Sequence, residues 1–301
     1  MLNDRLSPKA DLRNISADVT QFDSDGHFQS RRDQVGKAVS YTKRNEVLDK
    51  ILKTGQFTGP DGQLLSVRAH ISEAQGDMLQ RIVRETKPRV SLEVGLAYGV
   101  SALFICDALK MVGGERHMVI DSHQMTSVWN NGAGLHNLKL SGHAPLIDFY
   151  GEESQQALPK LEAQGERIDF AFIDGAHTFD HALVDFFYID RMLNVGGIVA
   201  FDDVGFPCIE KVCRFILKNR NYRVHSTLPD TDRPKPSTRR RLTHSAIKSA
   251  ARVSPRLRAL FSPQAVEGRQ DLGLNGWCVA FIKEADDTRG YHQHEVNHRD
   301  F

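Results

Sequence analysis

The chain has 301 residues, 40% of them hydrophobic and 26% charged, with a formal net charge of +1. That length holds one large domain with appendages or two small ones, and so balanced a charge gives no global case for nucleic-acid or membrane binding. The four cysteines (Cys106, Cys208, Cys213, Cys278) form no C-x-x-C pair, which argues against a zinc or redox motif and leaves free thiols in a reducing cytosol as the expectation.

The N-terminal stretch MLNDRLSPKADLRN is polar and lacks the apolar core of a signal peptide. No run approaches the roughly 20 apolar residues of a membrane helix, so a soluble, cytoplasmic protein is expected. Residues 1–70 read as a polar arm with helical periodicity from Arg44 to Leu52. A second helical segment runs from Ile71 to Glu85. Ser72 is its candidate cap and Pro88 closes it.

Short apolar runs then alternate with helical patterns. VSLEVG (90–95) is a strand that ends at glycine, and a helix follows to Met111 before Gly113-Gly114. HMVIDS (117–122) and LIDFYG (146–151) are the second and third strands, with a short helix from Ser154 to Leu161. IDFAFIDG (168–175) is the fourth strand, and a helix to Leu193 follows it. Gly196-Gly197 turns the chain into the fifth strand, IVAFDDV (198–204). A helix from Ile209 to Leu217 precedes YRVHS (222–226), and WCVAFIKE (277–284) comes after a gap. Such alternation predicts an α/β fold with a mainly parallel sheet covered on both faces. Residues 71–227 and 276–290 would make up this domain. The intervening 228–275, rich in Arg and Lys and including SAIKSAARVSPRLRALF, would be a basic insertion, part loop and part helix.

In such sheets, ligands bind beyond the carboxyl ends of the strands. LEVGLAYGVS places Glu93, Gly95, Gly99 and Ser101 at one of these ends, just before a helix N-terminus that favours negative or polar ligand groups. The G-x-x-x-G spacing differs from the dinucleotide fingerprint G-x-G-x-x-G, which counts against an NAD-dependent oxidoreductase. Asp121 ends the second strand, where an acid can grip a ribose diol or cap the next segment. Asp174 ends the fourth strand, and Asp202 and Asp203 end the fifth. Three carboxylates on one rim repel unless a cation lies between them, and hard oxygen donors favour Mg²⁺ or Ca²⁺. The alternative is that Asp202 and Asp203 cap the next helix. His177 follows Asp174 by three residues and is a candidate general base or a capping residue.

These residues resemble a known family. E-V-G-L-A-Y-G-V-S is similar to the first motif of class I S-adenosylmethionine-dependent methyltransferases, particularly the catechol and caffeoyl-CoA O-methyltransferases. FIDGAHTFDHALVDFFYIDRMLNVGGIVAFDDV resembles their second half, and the D-G-x-H and D-D pattern resembles bacterial macrocin-type sugar O-methyltransferases. The resemblance covers roughly residues 70–225 and the strand at 277–284. It implies a Rossmann-like doubly wound sheet, mostly parallel with an antiparallel last strand and helices on both faces. It also implies an S-adenosylmethionine-dependent O-methyltransferase acting on a sugar, polyol or catechol-like hydroxyl.

By the same resemblance, Glu93, Gly95, Gly99 and Ser101 would line the methionine end of the cofactor. Asp121 would hold the ribose, and Glu152, Glu153 and Ser154 would lie near the adenine, with Asp174 beside the cofactor as well. Asp174, Asp202 and Asp203 would bind a divalent cation, Mg²⁺ by preference. His177 stands where the catechol relatives carry a lysine base, so His177 and Asp174 become the catalytic candidates. The insertion becomes a lid candidate, with Arg239, Arg240, Arg241, Lys248, Arg252 and Arg256 available to an anionic substrate. The expected partner is a small-molecule hydroxyl substrate, with neither nucleic acid nor a membrane span; a homo-oligomer is possible. The competing reading is a non-catalytic binder or scaffold acting through the basic insertion. The tail histidines 292, 294 and 298 read as part of a polar end.

Overall fold

The computed structural model describes residues 44–229, 238–253 and 260–289. Helix α1 (Glu46–Thr54) starts where the Asn45 side chain accepts a hydrogen bond from the Leu48 amide, and it ends at Gly55 in the left-handed region. Its apolar face buries Leu48 and Ile51. A short antiparallel hairpin follows, β1 (Gln56–Thr58) with β2 (Leu64–Ser66). Strands of three residues show too little alternation to be legible in sequence. Helix α2 (Glu73–Thr86) opens with a capping box in which Ser72 and Gln75 satisfy each other's backbone amides.

The central sheet has seven strands: β3 (Val90–Val94), β4 (Arg116–Ile120), β5 (Ile147–Tyr150), β6 (Ile168–Ile173), β7 (Leu193–Phe201), β8 (Tyr222–Pro229) and β9 (Gly276–Lys283). Their spatial order is β5-β4-β3-β6-β7-β9-β8. Strands β3 to β7 pair in parallel, whereas β9 is antiparallel to both neighbours. The connecting helices are α3 (Val100–Val112), α4 (Ala133–Leu140), α5 (Ser154–Ala163), α6 (Phe179–Met192) and α7 (Pro207–Asn219). The doubly wound, mostly parallel sheet with one antiparallel strand read from the sequence is the architecture observed.

Successive side chains of a strand enter opposite cores. Phe170 and Phe172 of β6 join α1, α2 and α3 on one face, while Ala171 and Ile173 join α5, α6 and α7 on the other. This double burial explains the unbroken apolar runs. Two details differ from the sequence reading. Gly196-Gly197 falls inside β7 rather than before it, at an irregularity where the pairing with β6 shifts register; Gly196 supplies the positive φ of 86° that this needs. Helix α4 was not anticipated, because its eight residues include Gly134 and follow the N-cap Gly132, and two glycines so close together read as a turn.

The far edge of the sheet is held by a buried ionic cluster. Lys283 is 2% exposed and donates to the carbonyls of Asp190 (2.6 Å) and Leu193 (3.0 Å). The Asp190 carboxylate accepts from Tyr222 Oη at 2.7 Å and lies 3.4 Å from Arg220 Nε. Removing one partner of such a cluster strands the others. Lys283→Met is therefore expected to cost about 3–5 kcal/mol in urea denaturation, whereas Lys53→Met, at an exposed pair on α1, should cost less than about 1 kcal/mol.

Within the basic insertion, residues Thr238–Val253 form helix α8, and Pro263–Val266 form a short helix α9 followed by a 3₁₀ turn at Arg269–Leu272. Lys248 reaches from α8 to Asp271 at 2.5 Å. The side chains of Arg239, Arg240, Arg241 and Arg252, together with Arg256, His292, His294 and His298, lie outside the described residues, as does the arm up to residue 43.

Candidate active site

Sheet order reverses between β3 and β6, with β4 and β5 to one side and β7 to the other. The loops leaving β3, β4, β6 and β7 meet above this point around a cavity of about 1050 Å³. The turn after β3 is its floor. Gly95 (φ 91°), Ala97 (φ 47°) and Gly99 (φ 78°) all adopt left-handed backbone. A Cβ on Gly95 would lie 2.1 Å from the Asp174 carbonyl, and one on Gly99 3.1 Å from that of Gly134. The glycines are thus required by contacts between backbone segments as well as by φ. Gly99 is the N-cap of α3 and provides no side-chain cap. Val100 and Ser101 of the helix's first turn line the cavity, so its amides face open space suited to an anionic or polar group.

Asp121 secures this turn. Its Oδ2 accepts from the amides of Leu96 (3.1 Å) and Ala97 (3.0 Å), and its Oδ1 from His123 (2.9 Å). The bond to His123 is the local turn-capping contact weighed as the alternative role for this residue, yet Asp121 also lines the cavity. Gln124, which the sequence did not single out, completes the clamp. Its side chain donates to the Ala97 carbonyl at 2.9 Å and accepts from the Gly134 amide at 2.8 Å. A buried glutamine between two glycine-bearing segments has no pattern that would reveal it.

Glu93 is not part of the cavity wall. It is fully buried beneath the turn, with Oε2 3.2 Å from His117 Nε2, and His117 Nδ1 lies 2.8 Å from Ser91 Oγ. Its other carboxylate oxygen has no hydrogen-bond partner. Glu152, Glu153 and Ser154, after β5, do line the cavity, and Glu152 is paired with Lys160.

At the opposite end the predicted acids converge. Asp174, Asp202 and Asp203 all line the cavity. Backbone bonds Asp174 N to Val94 O (2.9 Å) and Asp202 N to Ile173 O (3.1 Å) step the three strand ends together. Burial pushes the Asp174 carboxyl well above its usual range, and Asp202, Glu93 and Asp203 push it further. Burial raises Asp202 to about 7 and also raises Asp203, which His177 partly offsets. Asp203 is held at φ 54°, a costly conformation for a non-glycine residue. Donor atoms of Asp174, His177 and Asp203 lie within 4.8 Å of one another. Asp202 is committed differently, since its Oδ1 accepts from Gln75 Nε2 at 2.5 Å. His177 is half exposed, with Nδ1 3.2 Å from Asp203 Oδ2. Two carboxylates and an imidazole, with a third acid beside them and charge that burial leaves uncompensated, fit a divalent cation.

Residues 92–204 match the family described as a methyltransferase domain. Over these residues the chain is similar to that family. The match takes in the β3 turn, Asp121, Asp174, His177, Asp202 and Asp203. Two curated relatives, each named transmembrane O-methyltransferase homolog, from Mus musculus and Rattus norvegicus, are 26% identical over 170 residues. These alignments cover 54% of this chain and 63% of each relative, so the chain spans under two thirds of their length. Among solved structures, an O-methyltransferase from Bacillus cereus in complex with SAH is 20% identical, with a TM-score of 0.49, covering 62% of this chain and 85% of that one. Among the described residues, no helix is long and apolar enough to cross a membrane.

Beside Gly175 and Ser154 of the cavity lining, Asp185 of α6 is 1% exposed, with one oxygen lacking a partner. Burial raises its carboxyl to about 6, against smaller lowering by Ser154 and His181. The folded state therefore favours the protonated acid. That contribution is complete below the ordinary carboxyl range and is lost as pH rises through about 6, a differential on the order of 3 kcal/mol. Asp185→Asn is expected to raise the melting temperature at pH 7.5 and to flatten this group's share of the stability decline between pH 4 and 6, as followed by thermal denaturation across pH.

Proposed function

We propose that the domain transfers a methyl group from S-adenosylmethionine to a hydroxyl of a small molecule, with a divalent cation held at the carboxylate end of the cavity. The observation that carries this reading is the junction of Gly95 with Asp174. An uncapped helix N-terminus and an acidic cluster share one cavity and are joined by backbone contact. When bound, the cofactor supplies a methyl group on a cationic sulfonium. The amides at the start of α3 and the Ser101 hydroxyl receive its carboxylate. Asp121 keeps the turn open and offers its remaining lone pairs to the ribose, and Glu153 and Ser154 stand at the adenine side. Asp174 and Asp203, with Asp202 beside them, would hold the cation, Mg²⁺ or a similar hard ion. When bound, such an ion would supply Lewis acidity that eases loss of the acceptor's proton. His177, held by Asp203, accepts the proton, and the cavity walls align oxygen and methyl.

The acceptor end is aromatic. Phe206 and Trp277 line it in an edge-to-face pair 5.6 Å apart, with Phe206 6.0 Å from the His177 ring. Six carboxylates and neither Lys nor Arg occur among the described lining residues. This favours an uncharged acceptor with a flat apolar body and neighbouring hydroxyls over an anionic one. The scaffold alternative has no support in the matched domain.

The clustering of His177 with Asp174 and Asp203 favours a second reading of one residue, with His177 as a metal ligand. His177→Gln separates the two. A base loses turnover and keeps Mn²⁺ affinity, whereas a ligand loses both, the latter by about 10–100-fold. The whole proposal is checked by titrating the protein with S-adenosylhomocysteine and with NAD in a calorimeter, with and without Mg²⁺. Heat from S-adenosylhomocysteine alone supports it, and binding of NAD alone defeats it.

A further inference from the structure

Trp277 lies in β9 and Phe206 in the loop before α7; the Val204 amide donates to the Trp277 carbonyl at 2.8 Å, and a further contact between the two segments lies outside the cavity. Arg269, in the return segment of the insertion, spreads its guanidinium over three carbonyls. Nε donates to Leu274 O at 3.0 Å, Nη2 to Gly276 O at 3.1 Å and Nη1 to Gly205 O at 3.5 Å. Gly276 precedes Trp277 and Gly205 precedes Phe206. One planar group thus bridges the strand carrying one ring and the loop carrying the other. Glu210 of α7 lies 3.5 Å from Arg269 Nε and is also held by buried Arg214, Nη2 to Oε1 at 3.2 Å. Arg214 in turn donates to the Glu267 carbonyl at 2.8 Å, which ties the insertion to α7. The fit leaves no slack, because a Cβ on Gly205 would sit 2.2 Å from the Trp277 ring.

We propose that Arg269 is a positioning residue that sets the Phe206–Trp277 wall through the carbonyls of Gly205 and Gly276. The inference rests on the reading of that wall as the acceptor end. The insertion then contributes to the cavity through this clamp, without any described α8 residue lining it. A three-carbonyl bridge requires the planar fork of arginine. Lysine would keep the charge beside Glu210 but cannot span the strand and the loop.

The chain has two tryptophans, so Trp129→Phe leaves Trp277 as the sole reporter. In that background, Arg269→Gln and Arg269→Lys are compared by Trp277 emission, acrylamide quenching and affinity for S-adenosylhomocysteine. Both variants should red-shift the emission and raise the quenching constant about twofold or more, because each loses the fork. Affinity for S-adenosylhomocysteine, which is read at the other end of the cavity, should stay within about twofold. Parental emission and quenching in Arg269→Lys would overturn the proposal, and so would an equal loss of S-adenosylhomocysteine affinity in both variants. Failure of the protein with both tryptophans intact to bind S-adenosylhomocysteine would instead count against the proposed function, while the fluorescence would still decide the role of Arg269.

Discussion

Asp174→Asn is expected to lower methyl transfer about a thousandfold, since charge stabilisation by a bound cation is worth several kcal/mol at about 1.4 kcal/mol per decade. The variant should fold at least as well as the parent. The Asp174 carboxyl is held well above its ordinary range by burial, Asp202, Glu93 and Asp203, so its ionised form is strained at pH 7.5 and a neutral amide relieves that strain. Calorimetric Mn²⁺ titration, thermal denaturation and single-turnover rates would be measured on the same preparation. Lost metal binding with retained or raised stability is the expected pattern. Retained metal binding at full rate would remove Asp174 from the site.

The second large effect is structural. Gly95→Ala is expected to destabilise the protein by on the order of 3 kcal/mol and to abolish cofactor binding, because it combines a left-handed backbone with overpacking. Its Cβ would meet the Asp174 carbonyl at 2.1 Å and force apart the two strand ends that define the cavity. Gly196→Ala is the matched control. Gly196 has a similar φ of 86° but nothing within 4 Å of its would-be Cβ, so only the backbone cost of about 1 kcal/mol applies. Urea denaturation of both variants, with S-adenosylhomocysteine titration, separates close contact from φ.

Much of this arrangement was legible from the residues alone. The runs VSLEV, IDFAFI and IVAF carry the apolar continuity of doubly buried strands, and a strand's end in an α/β sheet is where function collects. The positions of Gly95, Asp121, Asp174, Asp202 and Asp203 therefore followed from local pattern. Roles that depend on the third dimension did not. Glu93 reads as a cavity residue by its place in the motif, yet strand alternation turns it toward His117 and the interior. Gln124, Gln75 and Arg269 act through carbonyls, amides or carboxylates 27, 127 and 64 residues away. No periodicity encodes such long-range polar contacts. Trp277 lies beyond the insertion, and only the return of β9 between β7 and β8 brings it beside Phe206.

The central claim is that cofactor and cation share this one cavity, on either side of the Gly95–Asp174 junction. The most direct measurement is a crystal grown with S-adenosylhomocysteine and Mn²⁺, with diffraction recorded at the manganese edge. The account predicts an anomalous peak between Asp174 and Asp203 and ligand density over Gly95 to Ser101. Nucleoside density elsewhere, or a manganese peak away from these carboxylates, would contradict it.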